Sequence, residues 1–183
     1  MTQDVPDLSQ YVSLDCEASG LEPPARTFPV SVGLCFPDLT TCHWLIRPIQ
    51  EWLDWRWDPA AQAIHGLDRD TLTGYGLPVE QVARKLTDAV GDRICVSDSP
   101  HDLRWIRTLY RATGQPKPPI RHEEWFDALA TVAKTKTDNP TKCLALIDDA
   151  VNEANRRQPM THRADSDAQT NMLELRLLAG LDR

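Results

Sequence analysis

With 183 residues, 41% of them hydrophobic and 26% charged, the chain can bury the core of one α/β domain, is too short for two, and is too apolar for wholesale disorder. A net charge of -7 and a pI of about 5.2 supply no global positive field, which excludes tight non-specific binding of long duplex and requires any nucleic acid to be gripped locally or at an end. No segment approaches the roughly 18 apolar residues of a membrane span, and MTQDVPDLSQ carries neither a basic patch nor an apolar run, so a cytoplasmic protein with no membrane partner is expected.

The first predicted element is a strand within Tyr11 to Gly20, YVSLDCEASG. Tyr11, Val12 and Leu14 are apolar, and the period-two alternation of an extended chain puts Asp15 and Glu17 on one side. Two carboxylates on one face repel each other and are costly to bury. A divalent cation with oxygen ligands is the simplest compensation, and an exposed strand end bearing ordinary surface acids is the plain alternative. Leu21 to Thr27, with two prolines, reads as a loop, and Pro29 to Phe36 and Thr41 to Arg47 read as strands joined by the turn Pro37-Asp38-Leu39-Thr40. Joints this short require antiparallel neighbours, because parallel ones need a crossover of about a dozen residues or more. The stretch EWLDWRWDP holds three of the six tryptophans, and Trp52, Trp55 and Trp57 are expected to fold back over the core rather than to stack on bases.

Asp58-Pro59 starts a helix through AAQAIHGLD, followed by a second helical turn near Asp68 to Thr73. From Pro78 to about Val90 the apolar residues Val79, Val82, Ala83, Leu86 and Val90 recur at helical spacing. Arg93 to Ser97 is a brief apolar strand, broken by Asp98-Ser99-Pro100 before a helix carrying Leu103, Ile106, Leu109 and Tyr110, so Asp102 falls in that helix's first turn. The link TGQPKPP leads to Trp125-Phe126-Asp127 and a helix through Ala133, and the last third holds helices over about Lys142 to Asn155 and Asp165 to Ala179. The five cysteines, Cys16, Cys35, Cys42, Cys95 and Cys143, show no CxxC spacing, and four lie in predicted strands, which fits free thiols in a reducing compartment. In the terminal THRADSDAQTNMLELRLL, a helix starting near Asp165 places Asp167 in its first turn, where the helix dipole stabilises an anion, with His162 on the loop beside it. A histidine and a carboxylate can then flank one point, although a loop histidine and helix-start acids without further role give the same pattern.

Taken together, Asp15-x-Glu17 after a first strand, Asp102 at a strand-to-helix junction and His162-x-Ala164-x-x-Asp167 at a last helix resemble the DEDDh 3'-to-5' exonucleases of the ribonuclease H-like superfamily, which include polymerase proofreading subunits, oligoribonuclease and ribonuclease T. Ile64-His65-Gly66 is similar to the family's Ile-His-Gly turn beside the 3'-terminal nucleotide, and Trp125-Phe126-Asp127 to its apolar-apolar-Asp strand end. The chain departs from the family at Ser97-Asp98-Ser99-Pro100-His101, where many members carry a His-Asn pair and a Phe. Asp98 and Asp102 are both candidates for the third carboxylate. Asp102 is preferred because the apolar helix follows it at the family's spacing, and His101 receives no role. Ala18 and Ser19 stand where the family often has Thr.

The resemblance implies a single exonuclease domain over residues 1–183, with an α/β ribonuclease H-like mixed sheet, three antiparallel strands first and parallel strands after, flanked by helices. It implies Asp15, Glu17, Asp102 and Asp167 as ligands of two Mg²⁺ or Mn²⁺ ions, His162 as general base, and Cys16, Ala18 and His65 against the substrate. The implied partners are 3' ends of single-stranded DNA or RNA, the implied products nucleoside 5'-monophosphates, and a homodimer is compatible with it. The chemistry agrees: two cations roughly 3.5 to 4 Å apart can generate hydroxide at neutral pH and neutralise charge on the phosphate, oxygen ligands suit Mg²⁺ and Mn²⁺ better than zinc, and histidine titrates where a general base is needed. Two other readings are a catalytically silent nucleic-acid-binding domain on the same fold and a phosphodiesterase acting on a dinucleotide or nucleotide conjugate.

Overall fold

The run that begins at Tyr11 is the central strand of the computed structural model, which describes residues 7–182. This strand, β1 (Tyr11–Ala18), lies between β2 (Pro29–Cys35) and β4 (Ile94–Ser97), with β3 (Thr41–Leu45) outside β2 and β5 (Arg121–Glu124) outside β4. The first three strands form the expected antiparallel meander, with Asp15 opposite Gly33 and Glu17 opposite Ser31. β4 and β5 then add in parallel, reached through helical crossovers as parallel pairing demands.

Alternation divides β1 between two environments. Val12, Leu14, Cys16 and Ala18 turn to one face, where with Val30, Val32 and Leu34 they meet α3 (Val79–Val90) and α4 (Pro100–Ala112). Every apolar position counted into the α3 stripe is buried there. The other face is covered by α5 (Trp125–Lys134), α6 (Pro140–Arg157) and α7 (Ala164–Ala179). On that face Gly33 lets α7 approach closely: a Cβ at Gly33 would lie 2.2 Å from the carbonyl carbon of Ala164. The fold thus lays the start of the last helix directly over the strand pair that carries Asp15 and Glu17.

Asp58 caps α1 (Pro59–His65) by accepting the Ala60 N–H at 2.9 Å, and Gly66 ends it in the left-handed conformation, φ 72°. Asp68 caps α2 (Arg69–Tyr75) in the same way through the Thr71 N–H. Trp52 is buried and stacked on Phe28 at 5.2 Å, while Trp55 and Trp57 pack against the same core, as expected of a cover. All five cysteines are free, and burial pushes the Cys35 and Cys95 thiols up to about 12. One expectation is corrected. Trp125-Phe126-Asp127 is not a strand end: β5 stops at Glu124, and Trp125 opens α5. The strand is Arg-His-Glu-Glu, an edge strand with no apolar run to mark it, held by its parallel register with β4. No helix among the described residues is long and apolar enough to cross a membrane.

Candidate active site

The parallel register that pairs Ser13 with Val96 carries Asp98 to the level of Asp15 where β4 gives way to α4. Ser99 caps α4 through the His101 N–H, Pro100 occupies its first turn, and Asp102 is thereby turned back toward the end of β1. Carboxylate oxygens of Asp15, Asp98 and Asp102 all lie within 4.8 Å of one another. A second group with the same limit joins Glu17, Asp167 and a ring nitrogen of His162. The two groups adjoin through β1, which contributes one acid to each. Asp98 and Asp102, alternatives in the sequence, are therefore brought together in one group.

Asp167 also organises the loop before it. One carboxylate oxygen accepts the Thr161 N–H at 2.7 Å and the other the His162 N–H at 2.9 Å. His162 is held at φ 57°, a left-handed conformation uncommon outside glycine, and the Asp167 bonds hold it there. Its side chain remains exposed at the rim. Asp102 is only 1% exposed, and its oxygen Oδ2 has no hydrogen-bond partner among the described residues.

The electrostatics are lopsided. Burial, reinforced by Asp102, Glu17, Asp98 and Asp167, pushes the Asp15 carboxyl well above the carboxylate range, and burial with Asp98 does the same to Asp102. Burial and the Asp167 charge push Glu17 up to about 7. Among the described residues the ion pairs of lysine and arginine go to Asp58, Glu153, Asp165 and Asp182, and to none of these five acids. Acids gathered with no cationic side chain need an external positive charge to ionise together. The donor set fits a hard divalent cation: oxygen throughout, with a single imidazole, and an orphaned buried oxygen on Asp102.

His65 lies beside this cluster. Its Nδ1 accepts the Leu67 N–H at 3.0 Å, which assigns the ring proton to Nε2, a buried atom with no hydrogen-bond partner among the described residues. Burial lowers its pKa, and the neighbouring His162 lowers it further. Cys16 and Ala18 turn their side chains to the opposite face of β1, into the core, so any contact of theirs with a substrate runs through the backbone. His101 packs against Trp105 at 5.7 Å and belongs to neither ligand group. Sequence reasoning missed Asn171 and Glu174, which continue the Asp167 face of α7 one and two turns on and are both buried. Their signal was polar residues four and seven positions after Asp167, on the same face of the helix. Trp125 donates its indole N–H to Glu174 at 2.8 Å, and burial pushes Glu174 up to about 7.

Neither a family model nor a curated protein matches the chain. Solved structures do: the mixed five-stranded sheet flanked by helices is the fold these structures share with it. The neighbours are exonuclease I structures. Escherichia coli exonuclease I in complex with a dA16 oligonucleotide superposes with a TM-score of 0.62 at 14% identity, over 91% of this chain and 40% of that one. The zinc-bound form of the E. coli exonuclease I complex with single-stranded DNA gives 0.63 at 14% identity over the same shares. Exonuclease I from the moderately thermophilic Methylocaldum szegediense gives 0.61 at 17% identity, again over 91% and 40%. The chain spans about 40% of the length of these structures, and what it shares with them at this identity is the fold.

Proposed function

We propose that the chain is a DEDDh-type, metal-dependent 3'-to-5' exonuclease that releases nucleoside 5'-monophosphates from single-stranded or short nucleic acid. The observation that carries this reading is the convergence of Asp15 with Asp102, and of Glu17 with Asp167 and His162, into adjoining ligand groups that no lysine or arginine among the described residues pairs with. Asp15, Glu17, Asp102 and Asp167 would hold Mg²⁺ or Mn²⁺ ions, which when bound supply an acidified water and offset charge on the phosphate. The protein's own part is placement and proton transfer. His162, exposed at the rim and fixed through its backbone by Asp167, accepts the proton of the attacking water at a ring nitrogen. His65, with its ring proton on Nε2, would lie against the terminal nucleotide. Single strands are favoured because the net charge of -7 offers nothing to a long duplex and because the E. coli neighbours bind single-stranded oligonucleotides.

Matched DNA and RNA oligomers, labelled at either end and incubated with Mg²⁺, Mn²⁺ or chelator, test the proposal. A 5'-labelled strand should give a descending ladder, a 3'-labelled one early mononucleotide, and a 3'-phosphate should block both. Oligonucleotides released first from the 3'-labelled strand would show internal cutting. Cleavage of dinucleotides alone would move the reading to a phosphodiesterase, and metal-independent inertness to a binding domain.

A further inference from the structure

α4 leaves the acidic site as a basic helix. Its only acid is Asp102, in the first turn, and Arg104, Arg107 and Arg111 follow at steps of three and four residues, which sets them in one row. Arg107 and Arg111 are exposed and Arg104 is half-buried. The ion pairs among the described residues use Arg56, Arg156, Arg157, Arg163 and Arg176, and none of these three. α3, the neighbouring helix on the same face of the sheet, is an ordinary solvated surface by contrast, with Glu80 and Asp88 interspersed among Arg84 and Lys85. Three arginines in a row with no carboxylate between them make a local positive stripe in a chain of net charge -7. The row begins at the site. Arg104 donates to the Leu21 carbonyl at 3.1 Å, and Trp105 donates its indole N–H to Thr27 at 3.3 Å, so the loop that leaves β1 just beyond Glu17 is tied to the first turns of α4. From Arg104 to Arg111 the row runs away from the site for about 10 Å at about 1.5 Å per residue, a length that about three phosphates of a stacked strand cover.

We propose that the α4 row is the track for the strand behind the 3' end: Arg104, Arg107 and Arg111 receive successive phosphates of a single-stranded nucleic acid whose terminal nucleotide lies at the ligand groups. This rests on the exonuclease reading given above and adds where the rest of the strand runs. The consequence is that an acidic protein holds its substrate by a short stripe rather than by its overall charge, and prefers a chain of several nucleotides to a dinucleotide, which is too short to reach Arg107 and Arg111.

The test is steady-state turnover, in Mg²⁺ or Mn²⁺, of a twelve-nucleotide oligomer and a dinucleotide, of thymidylate or uridylate according to which the unaltered protein degrades faster. The variants are the double substitution Arg107→Gln with Arg111→Gln, at exposed positions, and a control, Lys134→Gln with Lys142→Gln, which removes the same charge from exposed positions on the helices of the other face. Each phosphate neutralised contributes about 0.7 to the log–log salt slope of single-strand binding, so losing two should raise KM for the oligomer about 25-fold at about 0.1 M salt and flatten that slope by about 1.4. Turnover number on the oligomer, and both constants for the dinucleotide, should stay within about twofold, because only binding common to ground and transition state is lost. The lysine control should match the unaltered protein on both substrates. An oligomer KM within about twofold of the unaltered protein's, an equal loss on the dinucleotide, or the same loss in the lysine control overturns the proposal. An unaltered protein that does not degrade the oligomer overturns the exonuclease reading and the track together; normal degradation with an indifferent arginine variant overturns the track alone.

Discussion

Replacing Gly33 by alanine should damage the active site from the neighbouring strand. Gly33 is opposite Asp15 on β2, and the Cβ that alanine adds would lie 2.2 Å from the Ala164 carbonyl carbon and 2.3 Å from both the Ala164 oxygen and the Asp165 nitrogen. Ordinary contact begins at 3.4 Å, 1.2 Å further out than the nearest of these. All three atoms are backbone at the start of α7, so no side-chain rotation relieves the clash, and the first turn must retreat with Asp167 and the loop it holds. Overpacking of this kind costs about 1–3 kcal/mol, and the entropy that alanine removes from the unfolded chain returns about 0.5–1 kcal/mol. A net loss of up to about 2.5 kcal/mol lowers Tm by up to about 5–10 °C in a domain of this size. Turnover should fall more steeply, about 10²-fold, because a displacement of about 1 Å misplaces the groups that meet the phosphate. Thermal denaturation and turnover on a 5'-labelled single strand measure the two effects. Gly74→Ala is the control: nothing lies within 4 Å of its added Cβ, and it should stabilise α2 by about 1 kcal/mol with turnover unchanged. A Gly33→Ala protein with unaltered Tm and turnover would refute the close packing of α7 on β2 as the device that sets the site.

Three further outcomes are expected. His162→Ala should cut turnover by about 10² to 10⁴ while calorimetry still detects cation binding, whereas normal turnover would remove His162 from the proton transfer. Asp15→Asn, by relieving repulsion in the Asp98 and Asp102 group, should raise the melting temperature in chelator and abolish the stabilisation by cations, which at 100 times Kd is about 2.7 kcal/mol for one site; an undiminished cation shift in thermal melts would sink its role as ligand. In chelator, Glu17 binds its proton up to about pH 7 in the folded state but only to 4.5 unfolded, so the folded state is favoured below 4.5, stability falls as pH rises through that window, and it levels off above 7. Glu17→Gln should flatten that slope in pH-dependent melts, and an identical slope would show that the effect lies elsewhere.

The sequence exposed those parts of the architecture that depend on short-range periodicity. Alternation in YVSLDCEA was enough to place Asp15 and Glu17 on one face, and the same alternation, followed one residue further, turns Cys16 into the core. The α3 stripe and the Asp58 and Ser99 helix starts were legible because caps and 3.6-residue spacing act locally. β5 was not, since Arg-His-Glu-Glu becomes a strand only by pairing with β4. Within the site, spacing preferred Asp102 over Asp98, and that both enter one group was hidden, because it is set by how far β1 and β4 run side by side. The left-handed backbone of His162 was equally hidden: it is imposed by a carboxylate five residues later.

The ligand groups draw on three stretches of chain that lie far apart in sequence, at 15–17, 98–102 and 162–167. A cation bridging Asp15 to Asp102 closes a loop of about 90 residues, and one bridging Glu17 to Asp167 closes a loop of about 150, lengths at which a covalent cross-link is worth several kcal/mol through the entropy of the unfolded chain. Cations at this site would therefore behave as removable staples. The same ions that prepare the phosphate for attack would decide how tightly α7 is fastened to the sheet, so that chelation should release the last helix to proteases and hydrogen exchange before it melts the domain.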